Sequence, residues 1–170
     1  MAAVHGARAQ VGMAASAPAT ELYELISGDL TLTEDLFEAS GLIGSRDHRA
    51  ERVRQNTRRV SGSLTFQPNA AELANLIPRI LGAAASGTTY DIAETLPSFV
   101  TVIDYVQTVM TYSGCVCNRG TFRATQGGPL ELQMAVEGLT HSSGAAGTFP
   151  SLTLNTATGP FIFSDAVISV

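Results

Sequence analysis

Lysine and tryptophan are absent from the 170 residues, and the chain has only two cysteines and three histidines. Without tryptophan, and with tyrosine and phenylalanine falling mostly inside predicted strands, there is no exposed aromatic cluster of the kind a monomeric sugar- or receptor-binding β-sandwich module presents. Cys115 and Cys117 are two residues apart, so in a strand they share a face with α-carbons at or beyond the reach of a disulfide. Two free thiols, packed as small apolar groups, are expected. His5, His48 and His141 are scattered and give no zinc spacing, so no metal site is predicted. No apolar run approaches bilayer length and residues 1–20 lack a signal-peptide core. A soluble protein, not exported by the usual route and with no membrane partner, is expected.

Catalytic patterns are missing as well. There is no glycine-rich phosphate loop, nucleophile elbow, metal-binding helix or EF-hand spacing. Glu131 and Glu137 stand about 20 Å apart along a strand, too far to share a carboxylate mechanism. His141 lies beside Ser142 and Ser143 with no acid placed to complete a triad. No enzyme activity, catalytic residue or cofactor is predicted.

Charge is sparse and net negative: 15 acids against 10 bases, a formal charge of -5 and a pI near 5.1. Such a chain is not drawn to nucleic acid or an anionic membrane by overall attraction. All ten bases are arginine, a bias we assign to genome composition. Six of the ten, Arg46, Arg49, Arg52, Arg54, Arg58 and Arg59, fall close together, offset only by Asp47 and Glu51. Just upstream, Glu21, Glu24, Asp29, Glu34, Asp35 and Glu38 make residues 21–38 acidic. Three readings of the basic stretch are open: a solvated loop, a nucleic-acid site, or a contact with another copy. Interspersed acids and the lack of an aromatic on which a base could stack weigh against nucleic acid. The acidic complement within the same chain favours contact between copies, with the six arginines and Glu34, Asp35 and Glu38 as candidate inter-subunit residues. Head-to-tail contacts of this kind close into rings or run on as filaments. Exposed ion pairs contribute only about 0–1 kcal/mol each, so they would set orientation and not hold the assembly alone.

Periodicity gives a mainly β chain. Leu130, Leu132, Met134 and Val136 alternate with Glu131, Gln133 and Glu137, which is the pattern of a half-buried strand. The residues before it suit a pleated surface, and Gln126-Gly127-Gly128-Pro129 joins the two as a turn, so 114–139 reads as a hairpin. Alternation also predicts strands over 29–37, 61–67, 99–106 and 160–170; 106–112 reads as a further strand or the same one bent, and 141–148 as a loop. Residues 20–26 are ambiguous. One helix is predicted after Asn69, which with Glu72 has capping-box spacing; Leu73, Leu76, Ile77, Ile80 and Leu81 line one face, Pro78 should kink or break it near Ile77, and Gly82 ends it. The domain expectation is a flexible arm over 1–20 and one β domain over 21–170, with a long loop at about 40–58.

The order of these pieces resembles the tail tube protein of long-tailed bacteriophages. The segments that carry the resemblance are SGSLTFQPNAAELANLIPRILG, YSGCVCNRGTF, PLELQMAVEG and GPFIFSDAVISV. It implies an antiparallel β-sandwich or barrel with one flanking helix, copies of which join edge to edge into rings that stack into a hollow tube through which DNA passes without specific binding. It further implies a virion tail component assembled in the bacterial cytoplasm, a ring of six single domains, tape measure and tail terminator proteins as partners, and a long loop that reaches neighbouring subunits. Glu131, Gln133 and Glu137 are expected on the lumen side. The alternative is the inner tube of a contractile tail or a secretion-type injection machine.

Overall fold

The structure, a computed structural model, describes residues 9–38, 53–84, 86–87, 89–154, 156, 158–162 and 165. Arg46, Arg49 and Arg52, the middle of the predicted long loop, and most of the predicted final strand lie outside the described residues. Among these described residues, nine strands and one helix follow in the order β1 (Gln10–Ala14), β2 (Glu21–Tyr23), β3 (Leu25–Gly28), β4 (Thr31–Glu38), β5 (Val53–Phe66), α1 (Ala70–Leu81), β6 (Phe99–Asp104), β7 (Thr108–Ala124), β8 (Leu130–Gly138) and β9 (Thr140–Ala145). Every pairing is antiparallel.

The organising element is β7, 17 residues long, which belongs to two layers. Its first half lies between β6 and β9 and continues a layer through β1 to β2. Its second half pairs with β8, which pairs with β5, whose far side is covered end to end by β3 and β4. The two halves meet at Gly114, whose φ of +66° favours a residue without a β-carbon, and Leu139 between β8 and β9 lies against the same spot. One bent hairpin thus joins both layers.

The core lies between the layers. Val11, Met13, Phe99 and Ile103 from one meet Val60, Leu64, Phe66, Leu132, Met134 and Val136 from the other, all buried. Each such side chain contributes about 1.5–3 kcal/mol relative to exposure. Leu76 of α1 is also fully buried in this cluster, and Ile80 sits over Gly120 of β7. Asn69 and Glu72 make the capping box reciprocally: Glu72 N donates to Asn69 Oδ1 at 3.0 Å and Asn69 N donates to Glu72 Oε2 at 2.9 Å. The helix ends at Gly82, whose φ is +95°. Pro78 does not break it, because the ring falls in the last turn, where one lost bond is offset by the burial of Leu76 and Arg79 on either side.

Several expectations are corrected. The arm over 1–20 is not flexible throughout: Gln10–Ala14 is a strand between β2 and β6, held by fully buried Val11 and Met13. Residues 53–58, assigned to the long loop, extend β5 because β4 supplies a partner along their length. Residues 140–145 form β9 and not a loop, since the first half of β7 offers them a margin. Residues 105–107 are a turn, so two strands flank them. The outward face of β6 and the start of β7 is covered by irregular chain: Ala19, Phe149 and Leu152 pack over Val100, Val102 and Val109.

Candidate functional site

The layer made by the second half of β7, β8, β5, β3 and β4 differs from an ordinary sandwich sheet in its uncovered face. Rungs Gln133–Thr65, Ala135–Ser63 and Glu137–Ser61 place Glu131, Gln133 and Glu137 of β8 among serines and threonines of β5. On the other side of β8, Ala135 meets Arg119, Gln133 meets Thr121 and Glu131 meets Arg123. Strand period dictates this, because Leu132, Met134 and Val136 occupy the core. The three residues predicted to share a face therefore do so, on a polar, water-facing surface that also carries Arg119 and Arg123.

Both margins of this layer are open among the described residues. Beyond the Phe99–Cys115 rung, where β6 ends, residues 116–124 of β7 pair only with β8. At the opposite side β4 pairs only with β5, and seven of its eight residues are exposed. Unpaired N–H and C=O groups along such lengths are a template for another strand. The other layer is better closed: β2 is only three residues long, and beside β9 Arg58 Nη2 donates to His141 O at 3.3 Å.

Beyond the Val60 rung, β4 and the first half of β5 leave the sandwich together as an arm. Leu36 is 64 % and Phe37 59 % exposed on it, well above what isolated burial needs would leave. Its charges partly satisfy one another within the chain. Glu34 lies opposite Arg58, with Oε1 2.9 Å from Nε, and Asn56 Nδ2 donates to Asp35 Oδ2 at 3.3 Å. Arg59 faces Thr33, Arg54 faces Phe37 and Glu38 faces Val53. Arg58 also reaches His141 Nδ1 at 3.4 Å, tying the arm's root to the other layer. Of the predicted inter-subunit residues, the structure thus brings together Glu34 and Arg58 inside one protomer. Arg119 and Arg123 on the free margin were not singled out from the sequence; their signal was an unopposed basic pair four residues apart.

The remaining polar groups are structural. Arg79 Nη2 lies 2.6 Å from Glu21 Oε2, Arg79 Nη1 donates to the Tyr23 hydroxyl at 2.8 Å, and the guanidinium stacks on Tyr23 and Phe99. Tyr23 in turn donates to Glu21. This knot latches α1 to β2 and β6. Burial raises the Tyr23 hydroxyl well above its ordinary value, and the Tyr112 hydroxyl, which donates to Leu30 O at 3.0 Å, to about 12. Cys115 and Cys117 are buried, unbridged and on one face; burial raises both thiols, Cys117 to about 11, so neither is a reactive thiolate at neutral pH. A shallow pocket is lined by Glu21, Tyr23, Glu72, Asn75 and Thr153, and two of its polar side chains, Glu21 and Tyr23, belong to the Arg79 knot. No group of three metal-ligating side chains occurs among the described residues, and no helix among them is long and apolar enough to cross a membrane.

Comparison with known proteins agrees with this architecture. No curated protein matches the sequence significantly. The fold is similar to a chain of the virion of a native gene transfer agent particle, with a TM-score of 0.51 and 11 % identity over 84 % of this chain and 100 % of that one. It is likewise similar to a chain from the tail of an empty particle of that kind, refined with helical C6 symmetry, at a TM-score of 0.52 and 10 % identity over 85 % of this chain and 99 % of that one. In sequence, residues 6–170 match the family model described as phage tail tube protein. An open polar sheet beside a helix-latched core is therefore the form this family takes here, and the chain belongs to the phage tail tube proteins, structural components of the virion tail.

Proposed function

We propose that copies of this chain join margin to margin into a ring of six, and that rings stack into the hollow tube through which DNA passes from capsid to host. The observation that carries this is the open layer: among the described residues, two long unpaired margins on opposite sides of one sheet whose outward face is polar and uncovered. Each backbone hydrogen bond gained at a joint contributes about 0.5–1.5 kcal/mol, so several together offset a substantial part of the cost of association. The number six is taken from the symmetry of the similar tail chain.

In this assembly the uncovered face lines the bore, with Glu131, Gln133 and Glu137 in its central row. A conduit for a polyanion works best with few fixed phosphate contacts, since each one adds affinity and slows sliding. The acids of β8, with Glu131 set directly across from Arg123 and Glu137 on the same face, keep that surface from being uniformly cationic. The arm of β4 and β5, with Arg54, Arg58 and Arg59, reaches neighbouring subunits, and Arg46, Arg49 and Arg52 act with it. Assembly takes place in the bacterial cytoplasm, and the tape measure and tail terminator are the other tail partners. Electron microscopy of the purified protein, with sizing by light scattering, tests the proposal: rings or rods of uniform diameter are expected. A protein that stays a monomer at high concentration refutes it.

A further inference from the structure

The two open margins carry opposite charge. Residues 116–124 of β7 include Arg119 and Arg123 and no acid, whereas β4 includes Glu34, Asp35 and Glu38 and no base. They are also matched in length, nine residues against eight, and both are exposed over most of their course. Neither Arg119 nor Arg123 makes an ion pair with another described residue. By register, Arg119 and Arg123 point to the same face as Glu131 and Ala135. Asp35 shares that face too, because the rungs Thr31–Ser61, Thr33–Arg59 and Asp35–Thr57 follow the alternation of β5.

Resting on the ring assembly proposed above, we propose that the joint between subunits is directional: the Arg119/Arg123 margin of one copy docks on the Asp35-bearing β4 margin of the next, a second copy of this chain being the occupant. Two like margins brought together would set arginine against arginine or acid against acid, so the charges exclude back-to-back dimers and admit only the head-to-tail joint that can close. Backbone pairing supplies the adhesion and the charges select the partner margin. This differs from pairing the acids with the arginine-rich stretch 46–59: Glu34 and Arg58 already pair within the protomer, which leaves Asp35 as the outer-face acid of the β4 margin.

Two variants and their mixture test it. One carries Arg119→Glu and Arg123→Glu, so both of its margins are acidic; the other carries Asp35→Arg and Glu38→Arg, so both are basic. Each alone is expected to remain a protomer by light scattering at concentrations where the wild type forms rings. Mixed in equal amounts they should form rings in which the two alternate, which also demonstrates that each is folded. If both variants assemble alone as the wild type does, the charge selection is wrong while the ring stands. Failure of the mixture, with both variants giving wild-type circular dichroism, overturns it as well. Should either variant misfold, the neutral pair Arg119→Gln and Arg123→Gln replaces it: at least a tenfold rise in the concentration needed for ring formation is expected, and no change refutes the proposal. A wild type that never assembles removes the ring reading and the inference with it.

Discussion

The two layers of this sandwich share a strand and a core yet treat water differently. The layer of β2, β1, β6, the first half of β7 and β9 has its outward face covered by its own chain and ends at short or capped margins. The layer of the second half of β7, β8, β5 and β4 covers its inner face equally well and, among the described residues, leaves its outer face and both long margins bare. The difference is largest at the outer face: Ala19, Phe149 and Leu152 cover one layer, and no described segment packs over the polar rows of the other.

The contrast between the faces of that bare layer can be broken most severely at the core. Replacing Phe66, fully buried, with alanine should destabilise by about 3–5 kcal/mol in urea unfolding. Gln133→Ala, one strand position over from Leu132 on the opposite face, should stay within about 0.5 kcal/mol. Equal effects would mean that the outer face is packed. Next in size is Gly62→Ala: a β-carbon there would lie 2.5 Å from Asp29 O, a backbone atom that cannot swing away, and a loss of about 1–3 kcal/mol is expected by the same measurement.

Hydrogen exchange sharpens the contrast between margins. In the protomer, amides on the free side of residues 118–124 should exchange at least about tenfold faster than those of β6, which is paired on both sides, and the difference should disappear on assembly. Slow exchange along 118–124 in the isolated protomer would mean that the margin is covered. A smaller effect belongs to the closed layer. Val106, in the turn between β6 and β7, has φ of +72°, a costly conformation for a β-branched residue. Val106→Gly should raise the stability by about 1 kcal/mol without altering assembly. The smallest effect concerns Glu72, whose carboxyl is raised above its ordinary value by burial. The folded state then holds that proton more tightly than the unfolded state, so its stabilising contribution is full below the ordinary carboxylate range and is lost as pH rises through the raised value. Urea midpoints measured between pH 4 and 7 should fall less steeply in Glu72→Gln than in the wild type; identical slopes would contradict this.

Much of the bare layer could be read in advance. The alternation of 130–137 announces which side chains of β8 are inside, and Asn69 with Glu72 fixes where the helix starts, because both signals are local. What was missed depends on pairing. Residues 140–145, THSSGA, have little strand character of their own and are extended because β7 presents them a margin. Residues 53–58 look like charged loop until β4 is laid beside them. Val11 and Met13 do alternate, but among glycine and alanine the signal is too short to outweigh a terminal position. The charged margins were hidden for the same reason. Arg119 sits in an unremarkable strand sequence, and only the topology reveals that β6 stops before reaching it.

The second half of β7, β8, β5 and β4 number four, and each runs opposite to its neighbour. An even count means that the first and last strands point in opposite senses. A further copy laid alongside in the same orientation therefore continues the alternation without a parallel seam, and so does every copy after it. Strand polarity thus leaves the number of copies free, so the curvature of the sheet must decide when the circle shuts.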